Sequence, residues 1–110
     1  MKKISLLGFA LAAMGLVGCT STYLIRGEGG ETCSTVREKV QTNAQYRNFY
    51  NAWLLGYLTR YNYDNGTKLG QGFKDQALLD AALQHCSQNP LDDFDLAAAS
   101  VVEQLVAKQE

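Results

Sequence analysis

The chain changes its hydrophobic pattern twice. Residues Ile4 to Val17 form an almost unbroken apolar run, residues 20–31 show no period, and from Thr35 onward apolar positions recur with helical spacing. The clearest stretch is AQYRNFYNAWLLGYLTRYN. It places Tyr46, Phe49, Tyr50, Trp53, Leu54, Tyr57, Leu58 and Tyr61 at i, i+3, i+4, i+7, i+8, i+11, i+12 and i+15. That is a helical stripe and not the alternation of a strand. Phe49, Trp53 and Gly56 lie near one line, which predicts that they point inward, with Tyr46, Tyr50 and Tyr57 flanking them. Gly56 costs about 1 kcal/mol in a helix interior relative to alanine, so a close helix crossing is expected there.

Three more helices follow from caps and periodicity. Thr35-Val36-Arg37-Glu38 matches a capping box, predicting a helix over about 35–42 with Cys33 at its start. Asp64-Asn65-Gly66 marks a turn, and two more glycines keep the segment after it irregular. Asp75 is placed to cap a helix over 76–88, whose Leu79, Ala82, Leu83 and Cys86 share a face. Asn89 then reads as an N-cap, Pro90 as the first helical position, and the following acids as first-turn residues. Phe94, Ala98, Val101, Val102 and Leu105 keep the period towards the end. The expected fold is all-α, a small bundle of about four helices with antiparallel neighbours, over residues 32–110. Residues 19–31 are expected to form a tether, with "TSTYLIRGEGGE" its polar, glycine-rich part.

The apolar run changes the setting. Lys2 and Lys3 precede it and Leu16-Val17-Gly18-Cys19 closes it, so the leader resembles a bacterial lipoprotein signal peptide over residues 1–18. In that class the Cys19 thiol receives lipid. An ordinary cleaved signal peptide with an incidental Cys19 is the alternative. Thr20 is not the aspartate associated with inner-membrane retention, so an outer-membrane anchor facing the periplasm is expected. Loss of the leader removes two of the ten basic residues and leaves eleven acids, a net charge near −3. That balance argues against nucleic acid or an anionic lipid surface as partner and leaves the membrane contact to the lipid.

Cys19 also accounts for an odd cysteine count. Cys33 and Cys86 remain, and in an oxidising periplasm two thiols of a small domain are expected to pair. Two buried free thiols are the alternative. A zinc site lacks companion ligands. His85, the sole histidine, reads as a surface residue, and Asp92, Asp93 and Asp95 read as helix-start acids and not a cation site. Asn62 to Gly66 lacks an EF-hand ligand pattern, Asn65-Gly66-Thr67 is formally a glycosylation sequon, and the glycines of 66–72 do not form a nucleotide loop. No catalytic set, metal site, cofactor or small-molecule substrate is expected. The tyrosines exceed what so small a core hides easily, which makes Tyr46, Tyr50, Tyr61 and Tyr63 the candidate protein-binding surface.

Trp53-Leu54-Leu55-Gly56-Tyr57-Leu58, then Asn62, then a cysteine with Asn89-Pro90 and an alanine-rich amphipathic tail, resembles the HdeA-like group of small periplasmic proteins over about residues 32–107. That group includes acid-stress chaperones and Rap/Tai-type immunity proteins of type VI secretion. The resemblance implies a disulfide-tied helical domain. It implies either recognition of a protein such as a toxin, or an acid-activated holdase; a lipid tether on Cys19 departs from the freely soluble chaperones. Substituting Cys19→Ser is expected to release the domain into the soluble periplasmic fraction or to leave an unprocessed precursor. Fractionation and the mass of the processed chain check this, and unchanged membrane extraction would count against the anchor.

Overall fold

In a computed structural model, residues 23–109 are described; the apolar leader, the lipobox and Cys19 lie outside them. Four helices account for most of the described chain: α1, Cys33–Thr42; α2, Gln45–Asn65; α3, Asp75–Gln88; and α4, Phe94–Gln109. A single 3-10 turn, Gly27–Gly30, precedes them, and the all-α expectation holds. The helix α3 touches each of the other three, and α2 also packs on α4.

The start of α1 differs from the expectation. Thr32, in extended backbone, is the cap, and its hydroxyl accepts from the Thr35 amide at 3.4 Å. The first amides of the helix find partners elsewhere. Cys33 N–H donates to Asp92 O at 2.7 Å, Ser34 N–H donates to Pro90 O at 3.0 Å, and Phe94 N–H returns to Glu31 O at 2.8 Å. First-turn amides have no intrahelical acceptor, so these carbonyls substitute for a continued cap. The same bonds explain why Asn89-Pro90 does not open α4. Residues 90–92 are held as an acceptor loop, and α4 begins only at Phe94. Asn89 instead closes α3, its backbone and side-chain amides both donating to the His85 carbonyl. Asp75 is the first residue of α3 and not its cap; Lys74 flanks it without a side-chain cap bond.

The α2–α3 connection is built around Asn62. Gly66 ends α2 in the left-handed region at φ 62°, and Thr67 N–H turns back onto Asn62 O. The Asn62 side chain then accepts from Thr67 Oγ1 at 2.7 Å and from Leu69 N at 2.9 Å, and donates to Leu69 O. The loop from Gly66 to Leu69 is thereby fixed, and Leu69 drops into the core.

The core gathers Val36 of α1, Tyr50, Leu54 and Leu58 of α2, Leu78, Leu79 and Ala82 of α3, and Phe94, Ala97, Ala98, Val101 and Leu105 of α4. The faces expected for α3 and α4 are the ones buried, with Leu83 half-buried and Leu78 added. Cys33 and Cys86 are paired, with Cα atoms 4.8 Å apart, joining the start of α1 to the last turn of α3. They are 53 positions apart in sequence, and closing a loop that long restricts the unfolded chain by about 4 kcal/mol as an upper figure. Both sulfurs are expected to resist alkylation, in the native and in the urea-unfolded chain alike, until reductant is added, since neither is a free thiol. The double substitution Cys33→Ala, Cys86→Ala is expected to lose up to about 4 kcal/mol in urea unfolding. Rapid labelling of the native unreduced chain, or an unchanged midpoint, would contradict the pairing.

Candidate protein-binding surface

The helix α2 presents a different face to the core than its aromatic stripe suggests. Tyr50, Leu54 and Leu58, each one turn from the next, point inward, with the Asn51 side chain beside them. Tyr50 is 1 % exposed, so it does not belong to an accessible recognition surface. Phe49, expected at the centre of the buried line, is 53 % exposed. Gly56 is open, with nothing near the position a Cβ would take, so no helix crosses there. Purely aliphatic Leu54 and Leu58 have no polar atom to satisfy and take the interior, while the residues with polar tips settle where those tips find partners.

Those partners come from residues 23–31, expected as tether and found packed on the domain as a strap. The strap's 3-10 turn rests on α2 and α4. The Trp53 indole N–H donates to Arg26 O at 3.0 Å. Gly29 is buried directly against the ring: a Cβ there would overlap the indole. Glu31 Oε1 accepts from the Tyr50 hydroxyl at 2.6 Å and from Lys39 Nζ at 3.1 Å. Tyr23 donates its hydroxyl to Asp95 Oδ2 at 2.9 Å. Underneath, the Phe94 ring lies 5.4 Å from Tyr50 and 6.0 Å from Trp53. The folded unit therefore begins by Tyr23, upstream of the expected boundary at residue 32. Burial, then the bond to Glu31, pushes the Tyr50 hydroxyl pKa well up, and the bond to Asp95 raises that of Tyr23.

The other candidate tyrosines do not make one patch. Tyr46 is half-buried near the start of α2, edge-on to Phe49 at 5.9 Å and beneath Lys39. Tyr61 lies fifteen residues further on, roughly 22 Å along the axis. There it lines a shallow cavity of about 220 Å³ with Tyr57, Arg60 and Asp64. Tyr63 is 81 % exposed, with the Arg60 guanidinium 5.7 Å from its ring. Arg60 also pairs with Asp64 at 3.1 Å, an exposed i,i+4 pair worth a few tenths of a kcal/mol. The surface that remains is the outer half of α2 from Arg60 to Asp64.

The polar candidates resolve locally. His85 is half-buried, with Nε2 2.8 Å from Asp92 Oδ2, and fastens the end of α3 to the acceptor loop. Asp95 alone of the three acids sits in the first turn of α4, and it is buried. Among the described residues no group of three or more His, Cys, Asp or Glu is arranged to hold a metal ion. No family model matches the chain, and no curated protein or solved structure matches it.

The fold favours an un-ionised Tyr50. Its contribution is complete below the ordinary tyrosine value of 10.0 and declines as pH rises beyond it, because the unfolded chain ionises first. Chemical unfolding at stepped alkaline pH is expected to show stability falling above about pH 10, with a shallower fall in Tyr50→Phe. Tyr50→Ala is expected to lose about 3–5 kcal/mol, whereas Tyr63→Ala stays within about 0.5 kcal/mol of wild type. Equal melts for the two alanine variants would place Tyr50 outside the core.

Proposed function

We propose that this chain is a non-enzymatic lipoprotein, anchored through lipid on Cys19 in the outer membrane with its helical domain in the periplasm. There it binds another protein, recognition of a toxin in the manner of an immunity protein being the concrete form. The observation carrying this is the outer half of α2, where half-buried Tyr61 and exposed Tyr63 stand beside Arg60 and Asp64 at a shallow cavity. Tyrosine offers a large, stiff contact area with one wet end, which suits interfaces between proteins. The strap supports the anchoring. Only three residues separate Cys19 from Tyr23, a reach of at most about 14 Å, so lipid on Cys19 holds the domain close against its membrane.

A second reading, the acid-activated holdase, draws on the way the strap is fastened. Two carboxylates, Glu31 and Asp95, accept the tyrosine hydroxyls that hold it, and Glu31 also holds Lys39. Loss of those bonds in strong acid frees the apolar surface around Trp53.

Placing a photo-crosslinking amino acid at Tyr61 or Tyr63 in the full membrane-bound chain tests the first reading. A discrete adduct with one protein is expected from these positions and not from exposed Gln84 on α3. No adduct at neutral pH, together with suppression of client aggregation only in acid, would replace it with the second.

A further inference from the structure

Where the strap crosses α2 and α4 it leaves a cavity of about 300 Å³, at the lower limit of the range small-molecule sites occupy. Its walls include three aromatic residues, Tyr23, Trp53 and Tyr57, together with Leu24, Arg26 and Asp95. Asp95 is 6 % exposed. Its Oδ2 takes the Tyr23 hydroxyl, while Oδ1 is buried without any hydrogen-bond partner. A buried carboxylate oxygen left unpaired is costly, and structures rarely keep one that nothing uses.

Acids act on the hydroxyls of two of the wall residues. Burial first, then Asp95 and Glu103, raise the Tyr57 hydroxyl pKa, and Asp93 adds to the effect of Asp95 on Tyr23. Arg26, which also lines the cavity, is an exposed residue and forms no ion pair among the described residues; Trp53 engages its backbone carbonyl. A cavity lined by aromatic rings beside a carboxylate without an ion-pair partner attracts a cation with an apolar skin. The rings supply quadrupole attraction and exclude water, and the carboxylate supplies the countercharge. A bare metal ion is a poor match, because one carboxylate and three rings give too few oxygen ligands.

We propose that this cavity binds an organic cation, a primary alkylammonium or quaternary ammonium group, held against Tyr23 and the paired Trp53 and Tyr57 rings with Asp95 as its countercharge. The assignment is separate from the protein partner proposed for the outer half of α2 and stands whether or not Cys19 carries lipid.

Trp53 is the sole tryptophan and lines the cavity, so its emission reports occupancy directly. The full chain in maltoside micelles is titrated with n-butylammonium and with tetramethylammonium chloride at constant ionic strength, and with butanol as the neutral control. A saturable emission change is expected with an ammonium and not with butanol. Preference for n-butylammonium identifies the end of a lysine side chain as the natural source, and preference for tetramethylammonium a quaternary headgroup. Asp95→Asn, which keeps the shape and an acceptor for Tyr23, is expected to bind about tenfold more weakly. Tyr57→Leu is expected to weaken binding with helix content unchanged by circular dichroism, and it decides the matter should Asp95→Asn fail to fold. Arg26→Gln is expected to bind as well as wild type or better. A butanol response equal to that of butylammonium, undiminished affinity in Asp95→Asn or, failing that, in Tyr57→Leu, or loss of binding in Arg26→Gln would each overturn the proposal.

Discussion

Everything in this domain is referred to one junction, where the start of α1 meets the segment between α3 and α4. The Cys33–Cys86 bond supplies its covalent part. The unsatisfied amides at the head of α1 supply the rest, by taking Pro90 and Asp92 as acceptors while Phe94 returns a bond to Glu31. Three helix ends and the strap are thus brought to one place by groups that would otherwise lack partners. Phe94 is fully buried beside it, and Glu31 is positioned there to receive both Tyr50 and Lys39. In a chain this small the hydrophobic core alone gives a narrow margin of stability, so a fixed junction of this kind matters more than it would in a larger domain.

From that junction the strap acquires its course, and the strap in turn decides how α2 is turned. A helix carrying Tyr46, Phe49, Tyr50, Trp53, Tyr57 and Tyr61 has more apolar surface than the other three helices can cover. The balance is met by folding residues 23–31 over it, with Gly29 supplying the close approach to the indole. Three aromatic residues at this seam spend their polar atoms on the strap or on α4: Trp53 on Arg26, Tyr50 on Glu31, Tyr23 on Asp95. Phe49 has no such atom and no strap above it, and it stays largely outside.

Much of the fold was legible because helical period and short connections carry it: the buried faces of α3 and α4 and the extent of α2 follow from spacing, and the cysteine pairing from the two thiols left once Cys19 is set aside. The departures share a cause. Thr32 capping in place of Thr35, and Pro90 serving an acceptor loop in place of a helix start, depend on backbone groups that amino-acid identity does not display. GEGG reads equally as slack or as a segment that must pass close to a ring, and only the position of Trp53 decides between them. For the same reason Tyr50 looked like Tyr63 in the sequence: their difference lies in whether Glu31 or solvent meets the hydroxyl. The cavity over Asp95 was hidden altogether, since its walls come from residues 23–26, 53–57 and 95, three stretches with no pattern in common.

The disulfide also governs how the domain bears tension. A pull applied through the N-terminal side and resisted at the far end of α4 travels along the strap to Cys33, crosses the sulfur bridge to Cys86, and leaves through the last residues of α3 into α4. The whole loop from Ser34 to His85, with α2 inside it, lies off that path and cannot be drawn out while the bridge is intact. Extension is confined to the strap, whose hold on Trp53 and Asp95 gives way first, and to α4. The aromatic helix that carries the candidate surface is therefore mechanically sheltered, and a domain pulled from its N-terminal side would lengthen without losing the face it presents.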